Sequence, residues 1–451
     1  MSRYHLKLTP LQQARKLGVR WCLDYPLAEQ LFVLDEEKNT LYVQGWLLSL
    51  KPVQRIRLVL LQGEQRQYFP LNCERPDVIE AILKQPSDAH PQLRCGFKFT
   101  TEVLVEQLRL GVELDGELIE LMAIDVTGVF KVLRGAESWL YLDNDTNKSV
   151  EQYTGKLLLG KDRLQRWQRY LGDLRRFETQ NGIPSRLLIA PSKEMVYPQF
   201  YPHQRAAVTP VDQVCQLPEA EQVLVYPELA LQQLTERSFR MSDTHWSAPG
   251  AKEACMQLAL ALGVDKAALT KKFQHDLYRV AKRYGDLGKK VFPPMPAEEQ
   301  ILKSFNHRRL VRYDNGLPNF GRVVVTTNRL AVSGGTLLLF GSSSSYSMMD
   351  YLSRIFRRVV LVHCAGNLDA ELIAQLKPDY LVAQTNARFV VIPPTSESSL
   401  RLIMRDKLAK LAVAEQQSLL SKAALMKQKS SETLVNVLHQ ILEQEVSANV
   451  R

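Results

Sequence analysis

The stretch Thr336-Leu337-Leu338-Leu339-Phe340-Gly341-Ser342-Ser343-Ser344-Ser345 decides how this chain folds. Its first half is a continuous apolar run with the length of a fully buried strand. Gly341 permits a tight turn, and Tyr346, Met348, Met349, Tyr351, Leu352, Ile355 and Phe356 follow at helical spacing. Gly-Ser-Ser-Ser-Ser is also the composition of a flexible linker, but a linker does not usually join a buried strand to an amphipathic helix. The junction reads as a strand-to-helix turn, where a serine hydroxyl is exposed and backbone N–H groups can face a developing oxyanion.

The chain around it alternates strand and helix. Residues 161–179 predict an amphipathic helix with Leu164, Trp167, Leu171 and Leu174 on one stripe. Apolar strands are expected at 186–190, 222–226, 322–326, 337–340, 358–362 and 380–383, with a helix from Pro249 onward. Continuous apolar strands between helices argue an α/β domain with a parallel sheet covered on both faces, and sites in such sheets form at the carboxyl ends of the strands.

A serine hydroxyl is a poor nucleophile at neutral pH and needs an imidazole to take its proton and a carboxylate to orient that imidazole. Ser242-Asp243-Thr244-His245-Trp246 offers both, about a hundred residues before the serine run. In an extended segment residues i and i+2 share a face, so the two side chains can enter one pocket. The plain alternative is a surface turn, since Asp and His are common in polar loops. Context favours the pocket: Trp246 can wall it, and Ser247-Ala248-Pro249-Gly250-Ala251 has a serine cap opening a helix whose Leu258, Leu260 and Leu262 suit a core.

With these residues in view, the chain resembles the SGNH-hydrolase-like domain of the alginate O-acetyltransferase (AlgX/AlgJ) type, in which Asp-x-His precedes the serine, the reverse of ordinary SGNH esterases. Residues 134–141 resemble that family's entry strand, and 187–198 its next strand and loop. Tyr284-Gly285-Asp286-Leu287 and 377–382 are also similar. The resemblance spans roughly residues 130 to 395 and implies an SGNH-like (flavodoxin-like) parallel sheet. By position it makes Ser343 the nucleophile and Asp243 and His245 its partners, and it implies that Lys193, Tyr197 and Arg388 contact substrate. Two places depart from the family. Ser342 stands where relatives often have Asp or Thr, which leaves Ser344 as the reserve nucleophile. Gln384-Thr385-Asn386-Ala387-Arg388 stands where relatives often carry a Glu-Arg pair.

Before residue 130 the texture is all β. Short apolar or alternating runs at 32–34, 40–43, 56–61, 97–99, 108–112 and 119–121, separated by polar turns, read as a small β-sandwich. Gly45-Trp46, Arg75-Pro76-Asp77-Val78, Gly96-Phe97 and Asp115-Gly116 resemble the sandwich module that accompanies bacterial glycan-modifying proteins. Trp46 and Phe97 are expected in the core rather than as sugar platforms. From Leu400 to Val446 the chain has no proline and keeps leucines at helical spacing, with Ser430-Ser431 as a break, so it predicts a helical tail of two helices for assembly or docking. The expected domains are 1–128 (β-sandwich), 129–398 (SGNH-like) and 399–451 (helical tail).

Composition frames the rest. With 451 residues, 45% hydrophobic and 24% charged, the chain is an ordinary globular one. Its net charge of +10 comes without a long basic block, which argues a diffuse positive surface rather than a nucleic-acid groove. Acidic glycans, phosphorylated carriers or an anionic membrane face are the partners such a surface suits. The amino terminus lacks the apolar stretch of a secretion signal and no window reaches the length of a membrane span, so a cytoplasmic location is expected. The six cysteines lack Cys-x-x-Cys spacing, and His203, His275, His307 and His363 are not spaced as ligands, so no metal is expected. Asn315 and Asn328 can supply an oxyanion amide but equally suit turns. No tightly bound cofactor is implied, while acetyl-CoA or another acyl donor would serve the chemistry.

The expected function is a serine-dependent carbohydrate O-acetyltransferase working through an acyl-serine intermediate on a glycan or polysaccharide. A deacetylating esterase uses the same triad. A glycan-binding or scaffold protein with a vestigial triad is the reading from another class, motivated by Ser342, the sandwich and the helices.

Overall fold

The computed structural model describes residues 2–11, 18–27, 31–34, 40–103, 105–128, 132–291 and 294–449. The chain forms two compact units, Met1–Val132 with Tyr284–Pro296, and Leu133–Arg283 with Ala297–Arg451.

Among the described residues, the first unit is built on nine strands: β1 (Ser2–Pro10), β2 (Val19–Tyr25), β3 (Leu31–Leu34), β4 (Thr40–Ser49), β5 (Ile56–Gln62), β6 (Gln65–Phe69), β7 (Gly96–Glu102), β8 (Gln107–Leu114) and β9 (Glu117–Gly128). They form an antiparallel sheet in the order β3-β1-β9-β8-β5-β6 and a second in the order β2-β4-β7. Val43 and Leu47 from the smaller sheet meet Leu58, Leu60, Leu110 and Ile124 from the larger in one core, which makes the unit a β-sandwich. Phe97 belongs to this core, and Trp46 packs against a satellite cluster of Leu48, Val78, Ile79 and Cys95.

The second unit holds a seven-stranded sheet of β10 (Ser185–Ala190), β11 (Leu224–Val225), β12 (Val311–Asp314), β13 (Val323–Thr327), β14 (Ser333–Gly341), β15 (Phe356–His363) and β16 (Tyr380–Asn386). Their order is β11-β10-β16-β14-β15-β13-β12. β11, β10, β16, β14 and β15 run parallel, and β13 and β12 add an antiparallel edge. The decisive apolar run is therefore the centre of the sheet: Leu337, Leu338, Leu339 and Phe340 are all buried. Helices α1 (Lys161–Asn181), α2 (Ala248–Ala261), α3 (Ser345–Ile355) and α4 (Ala370–Leu376) belong to the same unit. α1 buries Trp167, Tyr170, Leu171 and Leu174 and ends where Gly182 adopts φ 66° and returns its N–H to the Glu178 carbonyl.

The carboxyl-terminal region differs from expectation. It forms three helices, α5 (Leu400–Leu408), α6 (Val413–Gln428) and α7 (Thr433–Asn449), because the chain turns at 409–412 as well as at Ser430-Ser431. Leu400, Met404, Leu408, Val435, Leu438, Leu442 and Val446 join the same core as the sheet. Much of the apolar stripe that suggested a docking tail packs on the chain's own sheet domain, Leu425 staying exposed, and these helices are not a third compact unit. The 284–296 segment falls with the first unit instead of the second. The expected boundary at 128/129 lies at residues 129–131, which are outside the described residues.

Candidate active site

β14 ends at Gly341, the Ser342–Ser344 turn follows, and α3 starts at Ser345. Glycine is required here by space: a Cβ on residue 341 would sit 2.2 Å from Ser345 Oγ and 2.9 Å from Leu361 Cδ1. The turn is held from below by Gln384, on the neighbouring strand β16. Gln384 Oε1 accepts from the Ser342 N–H at 2.9 Å, the Ser342 hydroxyl at 2.7 Å and the Ser345 hydroxyl at 2.8 Å. The Ser344 hydroxyl donates to Asn386 Oδ1 at 2.8 Å. Three of the four serines therefore turn their hydroxyls into the fold, where all three are buried. Only Ser343 is left to face outward.

The second half of the site is the loop 238–247. Phe239 and Trp246 form an isolated antiparallel bridge, and the Ser247 N–H donates to the Ser238 carbonyl at 2.8 Å, so the loop closes on itself at the start of α2. Ser247 Oγ caps that helix by accepting from the Gly250 N–H at 3.1 Å. Asp243 and His245 are thus brought together by a turn rather than by the extended segment expected. Asp243 Oδ1 accepts the His245 backbone N–H at 2.9 Å and lies 2.7 Å from His245 Nδ1. On the far side of the ring, His245 Nε2 lies 2.9 Å from Ser343 Oγ. Trp246 is buried, and its indole N–H donates to the Ser344 carbonyl and to Ser347 Oγ, both at 3.1 Å, which ties the histidine loop to the serine turn.

Burial alone would raise the Asp243 carboxyl, but the hydrogen bond and charge of His245, with Arg240 3.7 Å away, outweigh it and hold that carboxyl well below the usual carboxylate range. Asp243 is thereby an anion across the physiological range, suited to fix the Nδ1–H tautomer of His245 and to stabilise its cation.

Of the residues expected to contact substrate, Lys193 does something else. It is buried, and its Nζ donates to the carbonyls of Arg240 (3.1 Å), Met241 (3.0 Å) and Asp243 (2.8 Å). It anchors the loop that carries the carboxylate. Tyr197 also faces inward, its hydroxyl accepting the Ser238 N–H at 2.8 Å and pairing with Ser238 Oγ at 3.0 Å. Arg388 lies in the short turn after β16 with its guanidinium over the Phe389 ring, 4.9 Å from the centroid. Asn315 and Asn328 are turn organisers: Asn315 bonds Gly321, Leu317 and Val323, and Asn328 bonds Ser353 and Leu330.

Gln384 and Asn386 were not singled out as support for the serine turn. Their signal lies in Leu381-Val382-Ala383-Gln384-Thr385-Asn386, where amides continue an apolar core strand and must find buried partners. His363, at the end of β15 opposite Gly341, is a further buried neighbour. Burial, with Arg322 and Lys407 adding, pushes its imidazole down to about 4, and its Nδ1 pairs with the Tyr346 hydroxyl at 3.0 Å.

A mostly parallel sheet with Ser343 at the carboxyl end of its central strand and Asp-x-His on a loop beside it defines an SGNH-like domain. The family described as the SGNH hydrolase-like domain of the acetyltransferase AlgX matches residues 132–364, more than half of the chain, and the chain belongs to that family. Among solved structures, PatB1 of Bacillus cereus is 12% identical with a TM-score of 0.44, over 60% of this chain and 98% of that one. The O-acetyltransferase domain of Pseudomonas putida AlgJ is 17% identical with a TM-score of 0.38, over 59% and 94%. AlgX of Pseudomonas aeruginosa is 12% identical with a TM-score of 0.34, over 57% and 62%. No curated protein sequence matches.

Proposed function

We propose that this protein is an O-acetyltransferase that moves an acetyl group onto a carbohydrate hydroxyl through an acetyl-Ser343 intermediate. The observation that carries the reading is the continuous path from Asp243 Oδ1 through both nitrogens of His245 to Ser343 Oγ, with steps of 2.7 and 2.9 Å. His245 Nε2 takes the proton as Ser343 Oγ attacks the carbonyl carbon of an activated acetyl ester or thioester. Collapse of the tetrahedral intermediate expels the donor alcohol or thiol, which leaves with that proton. The acceptor hydroxyl then gives its proton to His245 and attacks the acetyl-serine, and Ser343 recovers the proton. Ser343 sits just before the amino end of the eleven-residue helix α3, whose dipole favours the negative charge that develops on the carbonyl oxygen in both steps. The family description supplies acetyl transfer as the reaction type.

The test is labelling with a fluorophosphonate, or turnover of p-nitrophenyl acetate, followed by peptide mapping. Modification at Ser343, and a loss of about a thousandfold or more in Ser343→Ala and His245→Ala with folding intact, is the expected result. Adding an oligosaccharide acceptor should shift product from free acetate to acetylated sugar; acetate alone in every acceptor would assign the protein to hydrolysis. Folded protein that reacts equally well without Ser343 or His245 would refute the mechanism.

A further inference from the structure

At the opposite end of the central sheet from Ser343 lies a cavity of about 920 Å³. It opens beside Thr336 and the amino ends of β14 and β15, so it is separated from the serine turn by the length of a buried strand, roughly 20 Å. It is no part of the site described above.

Its walls carry six cations, Arg312, Arg329, Arg357, Arg358, Lys377 and Lys429, against two carboxylates, Asp379 and Glu432. Both carboxylates are engaged. Glu432 accepts from Thr327 Oγ1 at 2.6 Å and pairs with Arg358 Nε at 3.0 Å, and Asp379 Oδ2 accepts the Thr336 N–H at 2.7 Å. Among the described residues, the other five cations have no ion pair or side-chain hydrogen bond, and all five are exposed. They come from five separate places in the sequence, so no single solvated helix face accounts for them. The seventeen-residue helix α7 adds to the field, because its first residues Thr433 and Leu434 line the same cavity. A helix start presents backbone N–H groups and the positive end of its dipole.

We infer that this cavity binds a small molecule bearing two or more clustered phosphates, of nucleotide size. The volume lies in the range of small-molecule sites. The excess of positive charge lines one open cavity and converges on it from separate chain segments, which suits the clustered charges of a polyphosphate. A uronate chain carries one carboxylate per sugar and fits an extended groove. Arginine supplies four of the six cations, and its planar fork suits phosphate oxygens. Leu310, Leu376 and Val437 give an aliphatic wall for an uncharged moiety. This site stands independently of the chemistry assigned to Ser343.

The test is titration calorimetry of the full chain with tripolyphosphate, pyrophosphate, ADP and trigalacturonate at physiological salt. Micromolar binding of tripolyphosphate or ADP, with trigalacturonate at least about tenfold weaker, is expected. ADP binding tighter than pyrophosphate would identify a nucleotide, and equal affinity would identify the phosphates alone. Arg357→Ser with Lys377→Ser should weaken tripolyphosphate binding about tenfold or more, and Arg312→Ser alone by a smaller factor. Thermal unfolding checks that these exposed changes leave the fold intact, and the labelling rate of Ser343 should not change. No heat with any phosphate compound, affinity unchanged in both variants, or trigalacturonate binding as tightly as tripolyphosphate would overturn the inference.

Discussion

Replacing Gln384 by methionine removes an amide from the centre of the molecule while keeping the shape of the side chain. Gln384 is fully buried, and its Oε1 is the shared acceptor for the Ser342 N–H and for the hydroxyls of Ser342 and Ser345. The three losses are not equal. The Ser342 hydroxyl has a second acceptor in Asn386 Oδ1 at 3.4 Å and can swing toward it. The Ser342 N–H is fixed by the backbone and has no such choice, and leaving a buried donor unmade costs about 1–3 kcal/mol. The Ser345 hydroxyl, fully buried at the start of α3, loses its acceptor as well. Gln384 Nε2 also ceases to donate to the Thr385 carbonyl at 2.7 Å. The sum expected is about 2–4 kcal/mol of stability. The same bonds set where Ser343 stands relative to His245, and a misplacement of roughly 1 Å in a reacting atom costs on the order of a hundredfold in rate. Urea unfolding gives the first quantity, and the second-order rate constant for fluorophosphonate labelling of Ser343, measured without denaturant, gives the second. A variant within about 0.5 kcal/mol of the parent that labels at the parent rate would refute the claim that Gln384 holds the serine turn.

Other perturbations follow from the same geometry. Lys193→Met should cost about 2–4 kcal/mol in urea unfolding and slow Ser343 labelling, because the Arg240 and Asp243 carbonyls lose a buried charged donor, while the Met241 carbonyl keeps the Leu140 N–H at 3.0 Å. Gly341→Ala forces a Cβ against Ser345 Oγ at 2.2 Å and should cost about 1–3 kcal/mol with slower labelling; unchanged unfolding would show that the turn has room. His363 is pushed from 6.5 down to about 4 in the folded chain, so the unfolded chain binds the proton first as pH falls. Stability is then full above pH 6.5 and drains between 6.5 and about 4, by up to about 3 kcal/mol, and His363→Gln should flatten that acid limb in urea titrations at several pH values.

How far the sequence could be read follows from what each signal depends on. The run 337–340 needs only its own apolarity to be recognised as a central strand, and α1 only its 3.6-residue stripe. Gly182 stops α1 two residues beyond the expected end, as a left-handed cap does. β1 and β2 were not anticipated, because Ser2–Pro10 and Val19–Tyr25 mix charged and apolar residues and owe their pairing to partners far along the chain. The carboxyl-terminal helices were legible as helices, but the surface that covers them was not, since an apolar stripe reads the same whether its cover is a partner or the chain's own sheet. Lys193 shows the same limit at one residue. A lysine in a loop suggests contact with solvent or substrate, and only the fold shows three carbonyls converging on its ammonium.

The serine at 342 was the departure that motivated a non-catalytic reading, and its environment bears on that reading directly. Buried as it is, Ser342 needs acceptors in any reading, and it gives both its N–H and its hydroxyl to one buried amide. Ser344 and Ser345 are bonded inward as well, to Asn386 and Gln384. The Gln384 and Asn386 amides accept these hydroxyl donors without burying a charge. Ser342, Ser344, Ser345, Gln384 and Asn386 thus form one hydrogen-bonded cluster, and its net effect is to leave a single outward hydroxyl, Ser343, 2.9 Å from an imidazole that an anionic carboxylate already orients. The acyl transfer proposed for Ser343 uses that arrangement and a scaffold role does not, so fluorophosphonate labelling that is present in the parent and lost in Ser343→Ala supports the first, and a folded parent that does not label supports the second.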